Sequence, residues 1–366
     1  MNARERFIKN MTFQPTDRPI YKPYPGCWNA AFLRWRSEGY EGTDNYWDFL
    51  ISNPFGMDPS ESVGIGYGMC PGFERVDVSE DETHITYVNH EGIKLREMKA
   101  GGELSMPEFL DFPVKTREDF QKILPRLQLN REQRFPKDWP EYCEKWKTRE
   151  APLLSIADRY GGFFGPLRNL MGLENLCMAY YDDPVLVEMM VETITELMLS
   201  ILKEIFKHTD MDWFMFWEDM CYKNGPLLSP ALFKRYMSPA YRRVTDFLRS
   251  NGVEIIFVDS DGKIDELIPL WLDAGVNGVF PLEVQCGADA VKYRNEYGKD
   301  LRMIGGVDKR SLAKDKQAIK DEVKRLTPVI EKGGYIAQVD HSIPPDVSYE
   351  NFLYYLKLMK EVCGLA

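Results

Sequence analysis

Histidine is scarce in this sequence, the cysteines form no motif, and both long apolar runs and surplus positive charge are missing. Each shortage removes a class of protein. The seven cysteines (Cys27, Cys70, Cys143, Cys177, Cys221, Cys286 and Cys363) are odd in number, scattered and never spaced as CxxC. They read as reduced thiols, not as a disulfide frame or a thiolate-rich metal site. No uncharged stretch approaches the roughly 18 residues of a membrane-spanning helix. The opening MNARERFIKN lacks the apolar core of a signal peptide, so a soluble cytoplasmic protein is expected. The net charge of −11 repels phosphate backbones and anionic lipids, which leaves neither nucleic acid nor a membrane surface as an expected partner. A GxGxxG turn opening a helix is absent as well. Gly161-Gly162 and Gly305-Gly306 fit no Walker or dinucleotide pattern and read as points of close backbone approach.

What is present is length and alternation. The 366 residues, 44% hydrophobic, suffice for one large α/β barrel with an insertion or for two ordinary domains. Aromatic residues make up 13%, enough to line a pocket for a flat ligand but equally suited to a large core. From about residue 150, strand-like runs alternate with helices. APLLSIADRYGG (151–162) precedes a Met- and Leu-rich helix from Asp183 to Lys207, whose stripe belongs to the core. DWFMFWED (212–219), VEIIFVDSDG (253–262), GVNGVFPLE (275–283), LRMIGGVDK (301–309) and GGYIAQVDHSIPP (333–345) repeat the scheme. Continuous apolar strands separated by helices indicate a parallel sheet covered on both faces. A (β/α)8 TIM barrel is favoured over an open doubly wound sheet, because the usual marker of the latter is the missing glycine turn. The first 150 residues predict a helix at Ala3–Met11, a strand at PIYKPYPGCW and an antiparallel hairpin inserted over about 72–100, covering one side of the barrel mouth. One domain is expected to span residues 1–366.

In a parallel barrel, chemistry sits where strands end. Those positions carry Asp158 and Arg159, Glu218 and Asp219, Asp259 and Asp261, Glu283, Asp308 and Lys309, and Asp340 with His341. Converging acids with one imidazole suit a divalent metal or a shared proton. Plainer readings stand beside these. Asp259-Ser260-Asp261-Gly262 also reads as a turn capping the next helix. Glu218-Asp219 also suits ion pairs with Lys223 or Arg235. His84 and His90 fall in the hairpin and His208 ends a surface helix. His341 alone follows a buried-type strand, beside a carboxylate, and is the functional candidate.

Four stretches carry a family resemblance: ARERFIKNMTFQPTDRPI, DSDGKIDELIPLWLDAGVNGVFPLE, RMIGGVDKRSLA and DHSIPPDVSYENFLYYLKLM. Together they resemble the uroporphyrinogen decarboxylase superfamily over nearly the whole chain, which implies its barrel fold. The decarboxylases of that family carry Arg-Gln-Ala-Gly-Arg after the first strand. Here the region reads KPYPGCWNAAFLRW, where Lys22 and Arg34 remain as cations but the paired arginines are absent. The family's thiol methyltransferases hold zinc through His-x-Cys and a later Cys. The matching positions here are Asp259, Asp261 and His341, so the resemblance implies an oxygen-rich site for zinc or another divalent ion, with Glu218 or Glu283 completing it.

The chain most resembles a third group, the substrate-side methyltransferases of corrinoid-dependent aryl methyl ether O-demethylases. That resemblance implies a methoxylated aromatic substrate and a corrinoid supplied by a partner protein; a homodimer is compatible with it. His341, Asp259 and Glu218 are the expected catalytic groups. Tyr24, Trp28, Tyr160, Phe163 and Trp217 are expected to enclose the ring, with Arg159, Asp219 and Glu283 as polar contacts. Two rivals remain: decarboxylation of uroporphyrinogen or a smaller acid, and a barrel that has lost catalysis and serves as a binding partner.

Overall fold

A computed structural model describes residues 1–99, 106–156 and 159–365. Asp158, and residue 100 at the end of the expected hairpin, lie outside the described residues. The first barrel strand is β1 (Glu61–Ser62). Next comes an antiparallel sheet of β2 (Val76–Glu80), β3 (His84–Val88), β4 (Lys94–Met98) and β5 (Glu108–Asp111), in that order. The barrel resumes with β6 (Leu153–Ile156) and β7 (Trp213–Trp217), followed by a short ribbon of β8 (Cys221–Tyr222) and β9 (Gly225–Pro226). It continues through β10 (Ile255–Asp259), β11 (Gly278–Phe280), β12 (Arg302–Val307) and β13 (Tyr335–Val339). Seven of these strands form one all-parallel sheet in the order β1-β6-β7-β10-β11-β12-β13. Helices separate its strands along the chain, as the alternation predicted.

The eighth position is filled by an irregular segment. PIYKPYPGCW does not form the regular strand expected of it, because Pro19, Pro23 and Pro25 lack the N–H that a ladder needs. It still bridges the two edges of the sheet. Val339 N–H donates to Pro23 O at 2.9 Å on the β13 side, and Asp58 N–H donates to Tyr21 O at 2.8 Å on the side leading into β1. Higher up, Ile343 N–H donates to Gly26 O at 2.9 Å. The sheet is thereby closed into a TIM-type barrel.

The opening ARER…DRP motif secures the bottom of the barrel. Arg4 Nε donates to Asp212 at 2.9 Å, Arg6 Nε to Asp17 at 2.9 Å, and Arg18 Nη1 to Asp58 at 2.9 Å. Phe7 and Met11 of the first helix, Ala3–Met11, then pack with Ile20, Leu154, Trp213, Met215, Ile255, Phe257, Ile304 and Ile336 as the barrel's interior core. A larger core lies between the strands and the outer helices. The Asp-Asp-Pro step starts its helix as expected: Asp183 accepts from Leu186 N–H and the helix runs Pro184–Phe206. No helix among the described residues is long and apolar enough to cross a membrane. The expected hairpin is a correct reading of an antiparallel insertion that proves larger, with four strands.

The glycine reading holds at Gly305. Its φ is +109°, and a Cβ there would lie 2.7 Å from the backbone nitrogen of Leu282. Gly305→Ala is therefore expected to destabilise the protein by about 3 kcal/mol. Urea unfolding checks this; an unchanged midpoint would refute the close approach.

Candidate active site at the barrel mouth

Strand alternation fixes what faces the interior. Trp213 and Met215 of β7, and Ile255 and Phe257 of β10, belong to the interior core. Two residues further on, Trp217 and Asp259 take the same face and pair in register, and Asp259 pairs with Phe280 on its other side. An indole, a carboxyl and a phenyl ring thus form one tier at the mouth. Next to β7, Ile156 pairs with Met215 yet is 45% exposed. Ser62 pairs with the inward Leu154, and the next inward position is Gly64. These small residues on the β1 side leave the mouth open down to the level of Ile156.

The acids around Asp259 set its chemistry. Asp219 sits at φ +52°, a left-handed conformation that an Asp tolerates better than most residues. It is held there by Arg168, whose Nη1 donates to Asp219 O at 2.6 Å and whose Nη2 donates to Oδ2 at 3.2 Å. Burial pushes the Asp259 carboxyl well above the usual carboxylate range, and the charges of Asp261 and Asp219 push it further. Asp219 is raised by burial and by Asp261, with Arg168 pulling it back. Among the described residues no hydrogen bond satisfies the Asp259 side chain. This group favours its protonated form and faces the cavity.

His341 Nε2 lies 3.6 Å from Asp261 Oδ2 at the rim. The hydrogen-bonding pull of Asp261 raises the imidazole's pKa against a downward push from burial. The helix-capping alternative for Asp259-Ser260-Asp261-Gly262 fails, since the next helix, Ile268–Asp273, starts beyond Leu267. Ser260 Oγ instead accepts from Met220 N–H at 3.1 Å. Gly262, at φ +86°, makes a turn so tight that a Cβ would meet the Cys221 carbonyl carbon at 2.8 Å.

Several expected site residues have other places. Glu218 is fully buried and accepts from the N–H groups of Phe163 (2.7 Å), Phe164 (2.7 Å) and Gly165 (2.9 Å), and from the Tyr241 hydroxyl. It anchors the start of the helix Phe164–Met171 and makes none of the ion pairs considered for it. Phe163 packs against Phe216 and Tyr241 in the outer core. Tyr24, 1% exposed, packs against Phe49, Phe55 and Phe352 on the outer side of the barrel wall. Neither can touch a ligand in the mouth.

Glu283 is a tie between strand ends: it accepts from Gly262 N–H at 2.9 Å and lies 3.8 Å from Lys309 Nζ. Asp340 has the same role, accepting from Val284 and Lys309 N–H groups at 3.1 and 3.2 Å, with a carboxyl pushed up to about 6 by burial. The expected metal set is not assembled either. Asp261 and His341 meet, but Asp259 belongs to the interior tier, and no group of three His, Cys, Asp or Glu ligands converges among the described residues. The residues as placed do not form a zinc site.

The structure does bring together Asp259, Trp217, Asp219, Asp261 and His341. Arg159 joins them, its guanidinium 5.7 Å from the Trp217 ring. Arg168, which the sequence reading overlooked, lies 5.5 Å from the same ring. Trp28 is 42% exposed at the rim, where its N–H donates to Ile343 O at 3.0 Å. Tyr160 is buried against Gly68 beside a cleft of about 360 Å³ that Gly66, His90 and Arg134 also line.

Residues 103–362 match the family described as Uroporphyrinogen decarboxylase (URO-D). The chain belongs to that family. Curated relatives include the uroporphyrinogen decarboxylase of Carboxydothermus hydrogenoformans, 27% identical over 141 residues, or 38% of this chain and 39% of that protein. Those of two Thermus thermophilus strains are 29% identical over 144 residues, 37% of this chain and 39% of theirs. The chain thus matches about two fifths of the length of these relatives. A solved structure, a B12-independent methionine synthase from Shewanella sp. W3-18-1 in complex with selenomethionine, covers 63% of this chain and 67% of its own at 10% identity. Its TM-score of 0.40 is too low to bear on the chemistry. Family membership makes the barrel mouth the place to look for activity.

The rim pair is testable by titration. The pKa of His341 is raised above its ordinary 6.5, so its contribution to stability is full below pH 6.5 and fades as pH climbs through the folded value. Asp261→Asn removes the upward pull and leaves burial to lower the value. Proton NMR of the imidazole should therefore show His341 titrating at lower pH in the variant than in the wild type; coincident curves would show that the pair does not interact. Glu218→Ala should cost about 3 kcal/mol in chemical unfolding, because the helix start loses its acceptor. A neutral result would return Glu218 to the list of catalytic candidates.

Proposed function

We propose that this protein moves a methyl group from a methoxylated aromatic compound to the Co(I) corrinoid of a partner protein. The observation that carries the reading is Asp259: a carboxyl biased toward its protonated form, without a hydrogen-bond donor from the described protein, level with Trp217 and Phe280 inside the barrel. The two rings offer flat apolar surface to an arene, and the carboxyl offers a proton to an oxygen beside it.

Cleaving the aryl ether at its methyl carbon breaks the O–CH3 bond and leaves the electron pair on a phenolate oxygen. The corrinoid of the partner would supply the electron pair for the new bond to carbon, as Co(I). Proton donation by Asp259 neutralises the charge developing on the departing oxygen. The Asp261–His341 pair at the rim returns the proton from solvent. Arg159 and Arg168 near Trp217 hold the indole by cation–π attraction. No step requires a metal in the mouth, in keeping with the scattered ligands.

Decarboxylation is the second reading, favoured by the names of the curated relatives. The cations near the mouth count against a porphyrinogen bearing eight carboxylates. Arg168 is engaged by Asp219 and Lys309 lies by Glu283, and Asp259 and Asp261 add carboxyl groups beside Asp219.

The test is a mixture of this protein, a reduced corrinoid protein and a panel of methoxybenzenes, followed by the loss of Co(I) absorbance. Methyl transfer should occur, and Asp259→Asn should lower kcat about 10²- to 10⁴-fold with the fold intact. Silence across the panel, with CO2 released from uroporphyrinogen, would instead establish the decarboxylase.

A further inference from the structure

The bottom of the barrel, opposite the mouth, has two halves that differ in how their cations are paired. On one side Arg4, Arg6, Arg18 and Arg149 each meet an aspartate: Asp212, Asp17, Asp58 and again Asp212. On the other stand Arg249, Arg294, Lys299 and Arg302. Among the described residues, no carboxylate comes within ion-pair distance of any of these four. In a chain of net charge −11, where acids are plentiful, that is a departure.

The elements that carry the four cations bring them together. Arg249 lies in the last turn of the helix Ser238–Ser250, Arg294 in the helix Ala290–Tyr297, Lys299 in the turn after it, and Arg302 opens β12. Phe13, just beyond the first helix, sits among them. Its ring is 4.8 Å from the Arg294 guanidinium, 5.5 Å from that of Arg302 and 5.8 Å from Lys299 Nζ. Arg249 joins from the β10 side. Its Nη2 donates to Gly275 O, and two residues further on Asn277 O accepts from Arg302 N–H at 2.8 Å. The ring attracts each cation but does not cancel their mutual repulsion. Burial lowers Arg294 to about 10, and the charge of Arg302 lowers it further. Arg302 is itself lowered by burial and by Arg249, while Glu254 and Asp300 pull back from beyond ion-pair range.

The N–H donors show which of these groups hold the fold and which are free for a ligand. Arg294 is a tie within the protein. Its Nη1 donates to Gly298 O and Leu301 O, its Nη2 to Gly333 O and Gly334 O, and its Nε is buried without an acceptor. Carbonyls satisfy N–H groups but leave the charge uncompensated. Arg302 gives Nε to Met11 O at 3.0 Å and Nη1 to Asp300 O at 3.4 Å, which leaves Nη2 uncommitted. Lys299 is exposed, and among the described residues its ammonium donates to no acceptor. Arg249 likewise keeps Nη1.

We propose that Arg249, Lys299 and Arg302 form an oxyanion site at the bottom of the barrel, and that its ligand is a phosphate dianion, free or as a phosphomonoester. Free N–H groups on two guanidinium forks and one ammonium match the oxygens of a tetrahedral dianion. The bound ion supplies the negative charge that this half of the bottom lacks. It also joins the corner before β10, the start of β12 and the chain just past the first helix. The site stands apart from the mouth and from the reaction proposed there.

Calorimetric titration of the whole protein tests it, with inorganic phosphate, methyl phosphate and acetate at matched ionic strength. Phosphate should bind with a Kd of about 1 mM or tighter and raise the thermal midpoint above that in chloride. Acetate should do neither. Lys299→Met and Arg249→Met should each weaken phosphate binding about 10-fold. No phosphate binding by the wild type overturns the proposal, as does acetate bound as tightly as phosphate. Unchanged affinity in either variant does the same, because the ion then sits elsewhere. Were Arg249→Met not to fold, Lys299→Met, at an exposed position, decides alone. Methyl phosphate bound at least as tightly as inorganic phosphate assigns the site to a phosphate ester, and weaker binding assigns it to the free ion.

Discussion

Two backbone hydrogen bonds, Asp58 to Tyr21 and Val339 to Pro23, join the edges of a seven-stranded parallel sheet through a segment too rich in proline to be a strand. Without them the sheet would end at β1 and β13, and the residues at its strand ends would line a long open edge. With them, those ends become a ring, and chemistry carried on distant parts of the chain shares one enclosure. The prolines of the closing segment give up ladder bonds at one place on the wall.

The mouth owes its character to uneven burial of charge. On the β7–β10 side, burial and the charge of Asp261 raise Asp259 and Asp219, and Arg168 relieves Asp219. Acids that cannot all ionise keep a proton ready for transfer. Beside them lie Trp217, Phe280 and Ile156, which favour a flat apolar body. Other acids of the same strand ends do mechanical work: Glu218 holds a helix start, and Glu283 and Asp340 bind loop backbone.

Residue type and chain neighbours alone do not reveal that division. Glu218 and Asp259 each lie at the end of a strand beside other acids, and nothing in their neighbours along the chain tells them apart. They differ in register. Asp259 continues the inward set of Ile255 and Phe257, whereas Glu218 is one place out of step with Trp213, Met215 and Trp217 and so turns toward the helices. The same arithmetic, applied to DWFMFWED, could have separated them, and it would have sent Tyr24 and Phe163 outward only with the closing segment and the helix positions in hand.

The sequence by itself determined the alternation of strands and helices, the inserted antiparallel segment, the family likeness and the concentration of acids at strand ends. These follow from local periodicity, turn chemistry and motifs that need no knowledge of distant contacts. Tertiary structure decided which acids face the cavity and which are consumed by backbone N–H groups. Those outcomes depend on barrel closure and on the inward or outward sense of each strand residue, and a side chain's partner across a barrel is separated from it by hundreds of residues of chain.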